Sequence, residues 1–364
     1  MSIDLSLLPD GGTRWLDASG EHADIVLSTR VRLARNIEGY AFTPRARDGE
    51  RLRVLAQVRE AAERLPGLRE GVWMRLDELD APQRRLLHER HLVSKELAGV
   101  DDPKGVRTGA AVMLTGSEGV MVNEEDHLRL QSMRSGFELA SALEGVTALD
   151  QAIGAQVPYS YHSEFGFLTA CPTNTGTGMR ASVLIHLPGL VLTKEIQKVL
   201  GGLQQMGLTY RGLYGEGSEV VGNFFQISNQ TTLGRSEEEL VEHLGKIVRR
   251  VIEKEEEARR VLLRDAATVL EDKLWRAYGT LRYARSLSFD EAMNYLSGVR
   301  LAVGLKLIRD LSVYSLNKLL IFCQPAHLAA AEPGGPRTLT EAEANVVRAR
   351  YVRTTLTGES GGPV

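Results

Sequence analysis

The glycine-rich segment Cys171-Pro-Thr-Asn-Thr-Gly-Thr-Gly-Met-Arg180 contains residue types that can bring backbone close to a phosphate group. Within it, Gly176-Thr-Gly178-Met-Arg-Ala181 matches the bare spelling of a dinucleotide-binding fingerprint. That motif needs a strand directly before it and a helix beginning in it. Here Pro172 and Asn174 precede the glycines, and residues 182–187 have a strand-like pattern. The dinucleotide interpretation is therefore disfavoured.

Arginine side chains could bind phosphate instead. A lysine-containing phosphate loop is absent, because Gly245-Lys246 is followed by Ile247 rather than Ser or Thr. A guanidinium binds phosphate oxygens through paired hydrogen bonds and keeps its charge, and phosphoryl transfer depends mainly on positioning and charge stabilisation. Five arginines stand at predicted turns or strand ends: Arg30, Arg32, Arg129, Arg180 and Arg211. Taken singly, each is better explained as a solvated arginine, so the hypothesis depends on the surrounding motifs.

The elements that must position these residues mix strands and helices. Short β-branched and aromatic runs predict strands at residues 24–27, 110–122, 165–169, 181–187 and 224–228. The first of these strands should end beside Arg30 and Arg32, which would project from the same face of a strand because they are two residues apart. Apolar residues at helical spacing predict amphipathic helices over residues 51–65 and 82–97.

From about residue 236 the pattern becomes helical. Apolar residues from Leu240 to Ile252 share one helical face, and the i,i+4 pairs Glu255/Arg259 and Glu256/Arg260 predict exposed faces on a long solvated helix. Further helices are predicted at residues 266–278, 289–296, 299–319 and from Thr340, whose Thr340-x-x-Glu343 resembles a capping box. We predict a lead-in over residues 1–23, an α+β domain over 24–254 and an all-helical domain over 255–364.

The composition is typical of a globular protein. The 364 residues are 43% hydrophobic and 25% charged with a formal net charge of −3, so no overall basic field favours direct nucleic-acid binding. Two distant cysteines, Cys171 and Cys323, are typical of a reducing compartment. The N-terminal residues lack a basic and apolar leader pattern, and no long apolar run suggests a membrane span. We expect a cytoplasmic protein that does not bind membranes.

Four motifs together resemble those of the phosphagen (ATP:guanido) kinases, the family of arginine and creatine kinases. In order they are Ser28-Thr-Arg-Val-Arg32, Asn123-Glu-Glu-Asp-His-Leu-Arg129, Cys171 to Arg180, and Arg211-Gly-Leu-Tyr-Gly-Glu216 followed by Ile227-Ser-Asn229. Four matches in the same order are highly specific. The resemblance implies an α+β catalytic domain, with an antiparallel sheet flanked by helices, followed here by an all-α C-terminal domain.

The resemblance also implies roles for individual residues. The five arginines would surround the phosphates of ATP, and His91 would lie beside the adenine. Magnesium would be held by the phosphates and by water, without side-chain ligands. The implied nucleotide-binding positions are Ser28, Thr29, Arg30, Val31, Arg32, His91, Arg129, Arg180, Ala181, Ser182, Val183, Leu184, Arg211, Gly212, Leu213, Tyr214, Gly215 and Glu216.

The implied catalytic residues are Glu125, Glu216 and Cys171. A guanidinium is protonated at physiological pH, so its nitrogen attacks the γ-phosphorus only as a proton leaves. We take Glu125 as the base and Glu216 as the positioning group, although either carboxylate could accept the proton. A Cys171 thiolate among arginines would have a lowered pKa, and a small buried hydrophobe is the alternative. Structural hydrogen bonding is the better interpretation of Glu124, Asp126 and His127.

The order of the domains bears on the substrate. Small-molecule kinases of the family carry a helical domain before the Ser-x-Arg-x-Arg motif, whereas only 27 residues precede Ser28 here. This order resembles the bacterial protein arginine kinases of the McsB type, and implies phosphorylation of arginines within proteins during stress response and protein quality control. The implied partners are a heat-shock repressor, an activating zinc-binding adaptor and a Clp protease. The sequence does not determine the oligomeric state, and a homodimer is one of the states it allows.

One motif departs from that resemblance. The C-terminal Arg-Asp-x-x-Arg-Ala motif that binds phosphoarginine in the family aligns with Ala344-Asn345-Val346-Val347-Arg348-Ala349. Alanine supplies no donors to a phosphate, so phosphoarginine activation is in doubt, and Arg348, Arg350 and Arg353 are better explained as solvated helix arginines. Two alternatives stay open: a kinase for free arginine or another small guanidino compound, and a non-catalytic scaffold.

Overall fold

The computed structural model describes residues 9–100, 102, 105–213, 220–332 and 339–358. The strands are β1 (Val26–Arg35), β2 (Val72–Arg75), β3 (Ala111–Thr115), β4 (Glu118–Val122), β5 (Leu128–Ser135), β6 (Tyr161–His162), β7 (Gly166–Phe167), β8 (Met179–His186), β9 (Leu208–Arg211) and β10 (Phe224–Asn229). Eight strands form one antiparallel sheet in the order β2-β3-β4-β5-β1-β8-β10-β9, and β6 pairs with β7 in a separate hairpin.

Helices lie on both faces of the large sheet and make up the C-terminal region. They are α1 (Asp48–Arg64), α2 (Pro66–Arg69), α3 (Ala81–Glu89), α4 (Lys95–Ala98), α5 (Leu139–Gly154), α6 (Pro188–Leu192), α7 (Ile196–Gln205), α8 (Glu237–Asp265), α9 (Ala267–Tyr283), α10 (Phe289–Gly304), α11 (Val313–Phe322), α12 (Pro325–Ala330) and α13 (Glu341–Thr357). Within the described residues, none of these helices is long and apolar enough to cross a membrane.

Strand β1 lies at the centre of the sheet, between β5 and β8. Arg30 and Arg32 lie in the middle of this strand rather than at its end, which corrects the predicted strand boundary. The register pairs Arg32 with Arg180 of β8 and Ala34 with Arg129 of β5. Because directly opposite residues of an antiparallel pair share a face, these arginines project from the same side of the sheet.

The opposite side of the sheet forms the first hydrophobic core. Val31, Leu33, Val183 and Ile227 are fully buried there, against apolar residues of α1, α5 and α8. The alternation of arginine and apolar side chains along β1 therefore follows from a strand with one face in the core and one face on a cleft.

The C-terminal helices form a second core. Apolar residues of α9, α10, α11 and α13 pack against Leu184 and Phe224 of the sheet, and against Trp15 and Leu16 from the N-terminal segment. Leu184 lies on the same strand and the same face as Arg180, four residues further along. One face of the sheet therefore has two parts. The arginines lie at one end of it, and the C-terminal helices cover the other end.

Helix α8 runs across the boundary predicted between residues 254 and 255. The prediction that the Glu255/Arg259 pair lies on an exposed face is wrong. Arg259 Nε donates to Glu255 Oε1 at 2.9 Å, and both side chains are almost completely buried. Glu255 also accepts the backbone N–H groups of Gly189 and Leu190 at 2.9 Å each, so it fixes the start of α6 against α8.

Two predicted helices are interrupted. The helix predicted over residues 82–97 is divided into α3 and α4 by a turn in which His91 has a φ of +59°. The helix predicted over residues 299–319 is divided into α10 and α11, with Lys306 at a φ of +61° between them. Apolar spacing does not reveal these turns, because both flanking helices keep their apolar faces inward. The predicted capping box of Thr340 and Glu343 is confirmed at the start of α13.

Arg348 on α13 is buried, with 2% of its surface exposed, so the prediction of a solvated helix arginine is wrong. Its Nε donates to the Cys323 carbonyl at 2.9 Å, and its Nη1 donates to the Leu287 carbonyl at 2.8 Å and to Asn345 Oδ1 at 2.7 Å. The guanidinium therefore joins α13 to the end of α11 and to the turn before α10.

Arg348→Met should lower the free energy of unfolding by about 2–4 kcal/mol, because the buried carbonyls of Cys323 and Leu287 lose their donor. Arg350→Met is the matched control, since Arg350 is exposed and contacts Glu332 at the surface, and it should change stability by less than about 1 kcal/mol. Urea denaturation of both variants measures the difference. Equal midpoints for the two variants would contradict the structural role of Arg348.

Candidate active site

A cleft of about 680 Å³ lies over the arginine-bearing end of the sheet, within the range of about 300–1,000 Å³ that is typical of ligand sites. Eight predicted site residues line it: Arg30, Arg32, His91, Glu125, Arg129, Cys171, Arg180 and Arg211. Strands β1, β5, β8 and β9 carry the five arginines. Residues far apart in the sequence therefore meet in one place.

Other predicted nucleotide-binding positions do not line the cleft: Ser28, Thr29, Val31, Ala181, Ser182, Val183, Leu184, Gly212 and Leu213. Val31, Ala181 and Val183 lie in the first core, and Leu184 and Leu213 lie in the second. Strand alternation directs Val31, Ala181 and Val183 away from the arginine face, whereas Ser28, Ser182 and Leu184 lie on that face without lining the cleft. The predicted Tyr214, Gly215 and Glu216 lie outside the described residues.

The arginines of the cleft lie close enough to affect one another. Burial, together with the charges of Arg129 and Arg180, lowers the pKa of Arg30 to about 10. Burial and three neighbouring arginines lower the pKa of Arg32 well below its ordinary value, with Glu124 opposing that shift. Within the described structure, the buried Arg32 Nε has no hydrogen-bond partner. Such an excess of positive charge fits a polyanion such as the phosphates of ATP.

Glu124 and Glu125 differ in environment. Arg129 Nη1 donates to Glu124 Oε1 at 2.5 Å, and the Glu124 side chain is fully buried. Glu125 is half-buried at the cleft wall, 3.3 Å from Arg129 Nη2, and accepts from Asn174 Nδ2 at 3.4 Å. Burial raises the pKa of Glu125, the nearby Glu124 carboxylate adds to the rise, and Arg129 opposes it. Glu125 is thus the more accessible of the two carboxylates.

The neighbouring residues of this loop hold it in place. Asp126 Oδ1 accepts from Asn36 Nδ2 and from the Ala170 backbone N–H, both at 2.6 Å. His127 Nδ1 accepts from the Ile37 backbone N–H at 2.9 Å. These contacts support the predicted structural role of Asp126 and His127. Since Ala170 precedes Cys171, Asp126 also fixes the cysteine segment relative to Glu125.

The glycines of the cysteine segment allow close backbone crossings. Gly176 has a φ of +114°, and a Cβ at this position would lie 2.3 Å from the Thr232 carbonyl oxygen. Gly178 has a φ of +63°, and its Cβ would lie 2.5 Å from the Ala34 carbonyl oxygen. Both positions require glycine for sterics and for backbone conformation. The segment leads into strand β8 rather than into a helix, so the rejection of a dinucleotide fingerprint is confirmed.

Cys171 is partly exposed to the cleft, and its Sγ lies 3.0 Å from Thr173 Oγ1. It is therefore not the buried hydrophobe considered as the alternative.

The cleft also contains side chains to which the sequence analysis gave no role: His88, Lys95, Glu96, Arg107, Thr173, Asn174, Gln226, Asn229 and Thr232. Asn229 could have been predicted as a site residue, because it belongs to the motif Ile227-Ser-Asn229. In the structure its side chain accepts from the Ala181 backbone N–H and donates to the Met179 carbonyl.

His91 also lines the cleft, and it lies in the turn between α3 and α4. It is buried, and its ring meets that of Trp15 edge to face with centroids 5.1 Å apart. Burial, together with the charges of Arg30, His88 and Arg32, holds the pKa of His91 well below its ordinary value. The imidazole is neutral at physiological pH, so it suits contact with an uncharged base better than with a phosphate.

Comparison with known proteins assigns the class. Residues 53–258 match the family described as ATP:guanido phosphotransferase, C-terminal catalytic domain. The chain therefore belongs to the ATP:guanido phosphotransferase family. The solved duplicated taurocyamine kinase from Schistosoma mansoni with bound transition-state-analogue components is 29% identical, with a TM-score of 0.58 over 70% of this chain and 35% of that chain. Lombricine kinase is 27% identical, with a TM-score of 0.57 over 70% of both chains.

Further matches cover the whole chain. Residues 267–361 match the protein-arginine kinase McsB C-terminal domain. The chain is 40% identical to a protein-arginine kinase of Bacillus cereus (strain G9842), over 96% of this chain and 98% of the relative. It is 43% identical to a protein-arginine kinase of Moorella thermoacetica, over 97% of this chain and 100% of the relative. These matches confirm the predicted family, the fold class and the ATP-dependent guanido kinase class.

Arg32→Met should stabilise the ligand-free protein by about 1 kcal/mol, because it removes one of several mutually repelling, partly buried charges. The same change should weaken ATP binding about 100-fold. Arg53→Met, which changes an exposed arginine of α1, serves as the control and should alter neither quantity. Thermal melting with and without ATP, combined with titration calorimetry, measures both effects. Reduced stability with unchanged ATP affinity would contradict the electrostatic interpretation.

Proposed function

We propose that this enzyme transfers the γ-phosphoryl group of magnesium-bound ATP to arginine guanidinium groups in proteins. The observation that carries the proposal is that one cleft brings together five arginines, Glu125 and Cys171. The protein-arginine kinases to which nearly the whole chain is similar support the protein substrate.

The arginines of the cleft suit the nucleotide. Arg30, Arg32 and Arg180 would contact the phosphate oxygens and stabilise the charge that moves onto ADP as the bond breaks. Within the described residues, no group of three or more acidic, histidine or cysteine side chains could hold a metal ion. Magnesium would arrive with ATP as part of the substrate, bound by phosphate oxygens and water.

Glu125 and Cys171 would face the guanidinium. A guanidinium nitrogen attacks the γ-phosphorus, an N–P bond forms, and the P–O bond to the β-phosphate breaks to release ADP. The proton lost from that nitrogen passes to the Glu125 carboxylate. Glu216, which lies outside the described residues, remains the proposed second carboxylate that orients the guanidinium. Cys171 would add negative charge beside it as the thiolate.

The finer setting of the reaction is also proposed. The similarity to bacterial protein-arginine kinases, including the match to their C-terminal domain, supports a cytoplasmic role in stress response and protein quality control. On that basis a heat-shock repressor would be a substrate, a zinc-binding adaptor an activator and a Clp protease the reader of the product. The enzyme would act as a homodimer.

Glu125→Gln should lower kcat about 10²–10⁴-fold with little change in the KM for ATP, because the amide cannot accept the proton. In the wild type, kcat should fall as the pH decreases through the raised pKa of Glu125, so the acid limb should lie above pH 4.5, the ordinary value. Activity is retained above that limb, where the carboxylate is ionised. Rates measured across pH for both proteins test this.

The control is Glu118→Gln, which changes a partly buried carboxylate that bonds Arg134 outside the cleft. It should leave kcat and the acid limb in place. A Glu125→Gln enzyme with normal kcat and a normal pH profile would show that another group accepts the proton.

An arginine-containing protein should acquire acid-labile phosphate on arginine when it is incubated with this enzyme and ATP, while free arginine should be phosphorylated at least about 100-fold more slowly. Mass spectrometry at neutral pH locates the phosphate, and ADP release measures the rate. A substrate with lysine in place of every arginine is the control. Rapid ATP consumption with free arginine alone would favour the small-molecule alternative.

A further inference from the structure

A second open groove of about 450 Å³ lies beside the active-site cleft. One wall is the β6–β7 hairpin with Tyr161 and Phe165, and the other contains Leu233 in the loop between β10 and α8. These three apolar side chains are 61%, 47% and 50% exposed, respectively. Single exposed apolar residues are ordinary, but three that converge on one groove indicate a binding surface.

Arg35 holds the walls of this groove in place. Its fully buried guanidinium lies 3.6 Å from the centre of the Phe167 ring in the hairpin and forms an ion pair with Asp150 of α5 at 2.7 Å. Its Nη1 donates to the Thr177 carbonyl in the groove floor at 2.7 Å, and its Nη2 lies 3.4 Å from Glu237 of α8. The groove is therefore preorganised, which reduces the entropy lost on binding.

The groove lies next to the cleft, and the two share a lining residue. Thr232 lines both, and its Oγ1 lies within hydrogen-bonding distance of the Thr173 and Thr175 carbonyl oxygens, at 2.9 and 2.8 Å. Thr173 lines the cleft beside Cys171. A peptide whose arginine side chain reaches Cys171 and Glu125 would thus have its neighbouring residues close to the mouth of the groove.

The charge of the groove complements a basic segment. Its lining contains three glutamates, Glu164, Glu237 and Glu238, against one arginine, Arg235. Glu164 is exposed, and Glu237 is partly neutralised by Arg35. The remaining negative charge would favour lysine or arginine beside the target residue and would disfavour acidic neighbours.

We propose that this groove binds the residues that flank the target arginine, as an extended segment with an apolar or aromatic side chain and basic neighbours. The inference rests on the proposed function, because only an arginine within a polypeptide has flanking residues to place there. The groove would select among protein arginines, while the cleft carries out the phosphoryl transfer.

Two peptides with one arginine each, blocked at both ends, test the proposal. The short peptide carries glycine on each side, and the long peptide adds tyrosine, leucine and lysine residues in both flanks. Phe165→Ser and Leu233→Ser should each raise the KM of the long peptide about tenfold and leave kcat nearly unchanged. The KM of the short peptide should not change. Leu52→Ser, an exposed position on α1, is the control and should affect neither peptide.

Glu164→Gln tests the charge preference of the groove independently of its apolar side chains. It should raise the KM of the lysine-flanked peptide about threefold at low salt, and the effect should disappear at high salt. If the wild type uses both peptides with equal KM, or if the groove variants impair both peptides equally, the groove proposal is wrong while the proposed function stands. If neither peptide is phosphorylated, the proposed function fails and the groove proposal fails with it.

Discussion

Five guanidinium groups project into one cleft, and the repulsion among those of Arg30, Arg32, Arg129 and Arg180 is the physical constraint around which the site is built. Burial and neighbouring arginines lower the pKa values of Arg30 and Arg32, and Glu124 is a fully buried counter-charge on Arg129. Flexible loops would let such groups separate, whereas adjacent strands of an antiparallel sheet hold their side chains at fixed spacing. The fold therefore sustains an electrostatic cost that the phosphates of a bound nucleotide would relieve.

Packing on both faces keeps these strands in place. The first core lies behind the arginines, and the C-terminal helices occupy the far end of the arginine face. The two regions also meet close to His91, where Glu89 accepts the backbone N–H groups of Ala326 and His327. Glu89 is two residues from His91. The helical region is thus in contact with the element that positions His91, so the packing of α12 and the geometry of the cleft are physically linked.

The sequence was sufficient to predict the fold class and eight of the residues that line the cleft, because the family motifs contain those residues and are typical of that fold. It missed what depends on tertiary contacts. The i,i+4 spacing of Glu255 and Arg259 indicates a pair but not that α6 covers it, and periodicity does not reveal the turn at His91. Strand alternation was available from the start and would have separated Val31 and Val183 from the arginines.

Arg348 has a structural role in the C-terminal helices. This chain has Ala344 and Asn345 at the positions where the motif expected from the resemblance would have arginine and aspartate. Asn345 Oδ1 accepts from Arg348 Nη1, which also donates to a backbone carbonyl, while Nε donates to another. Donors directed at protein carbonyls in a buried site cannot turn to a phosphate without leaving those carbonyls unsatisfied. The arginine that remains of the motif therefore stabilises the helical region in this structure, and that region acts on the catalytic sheet through packing.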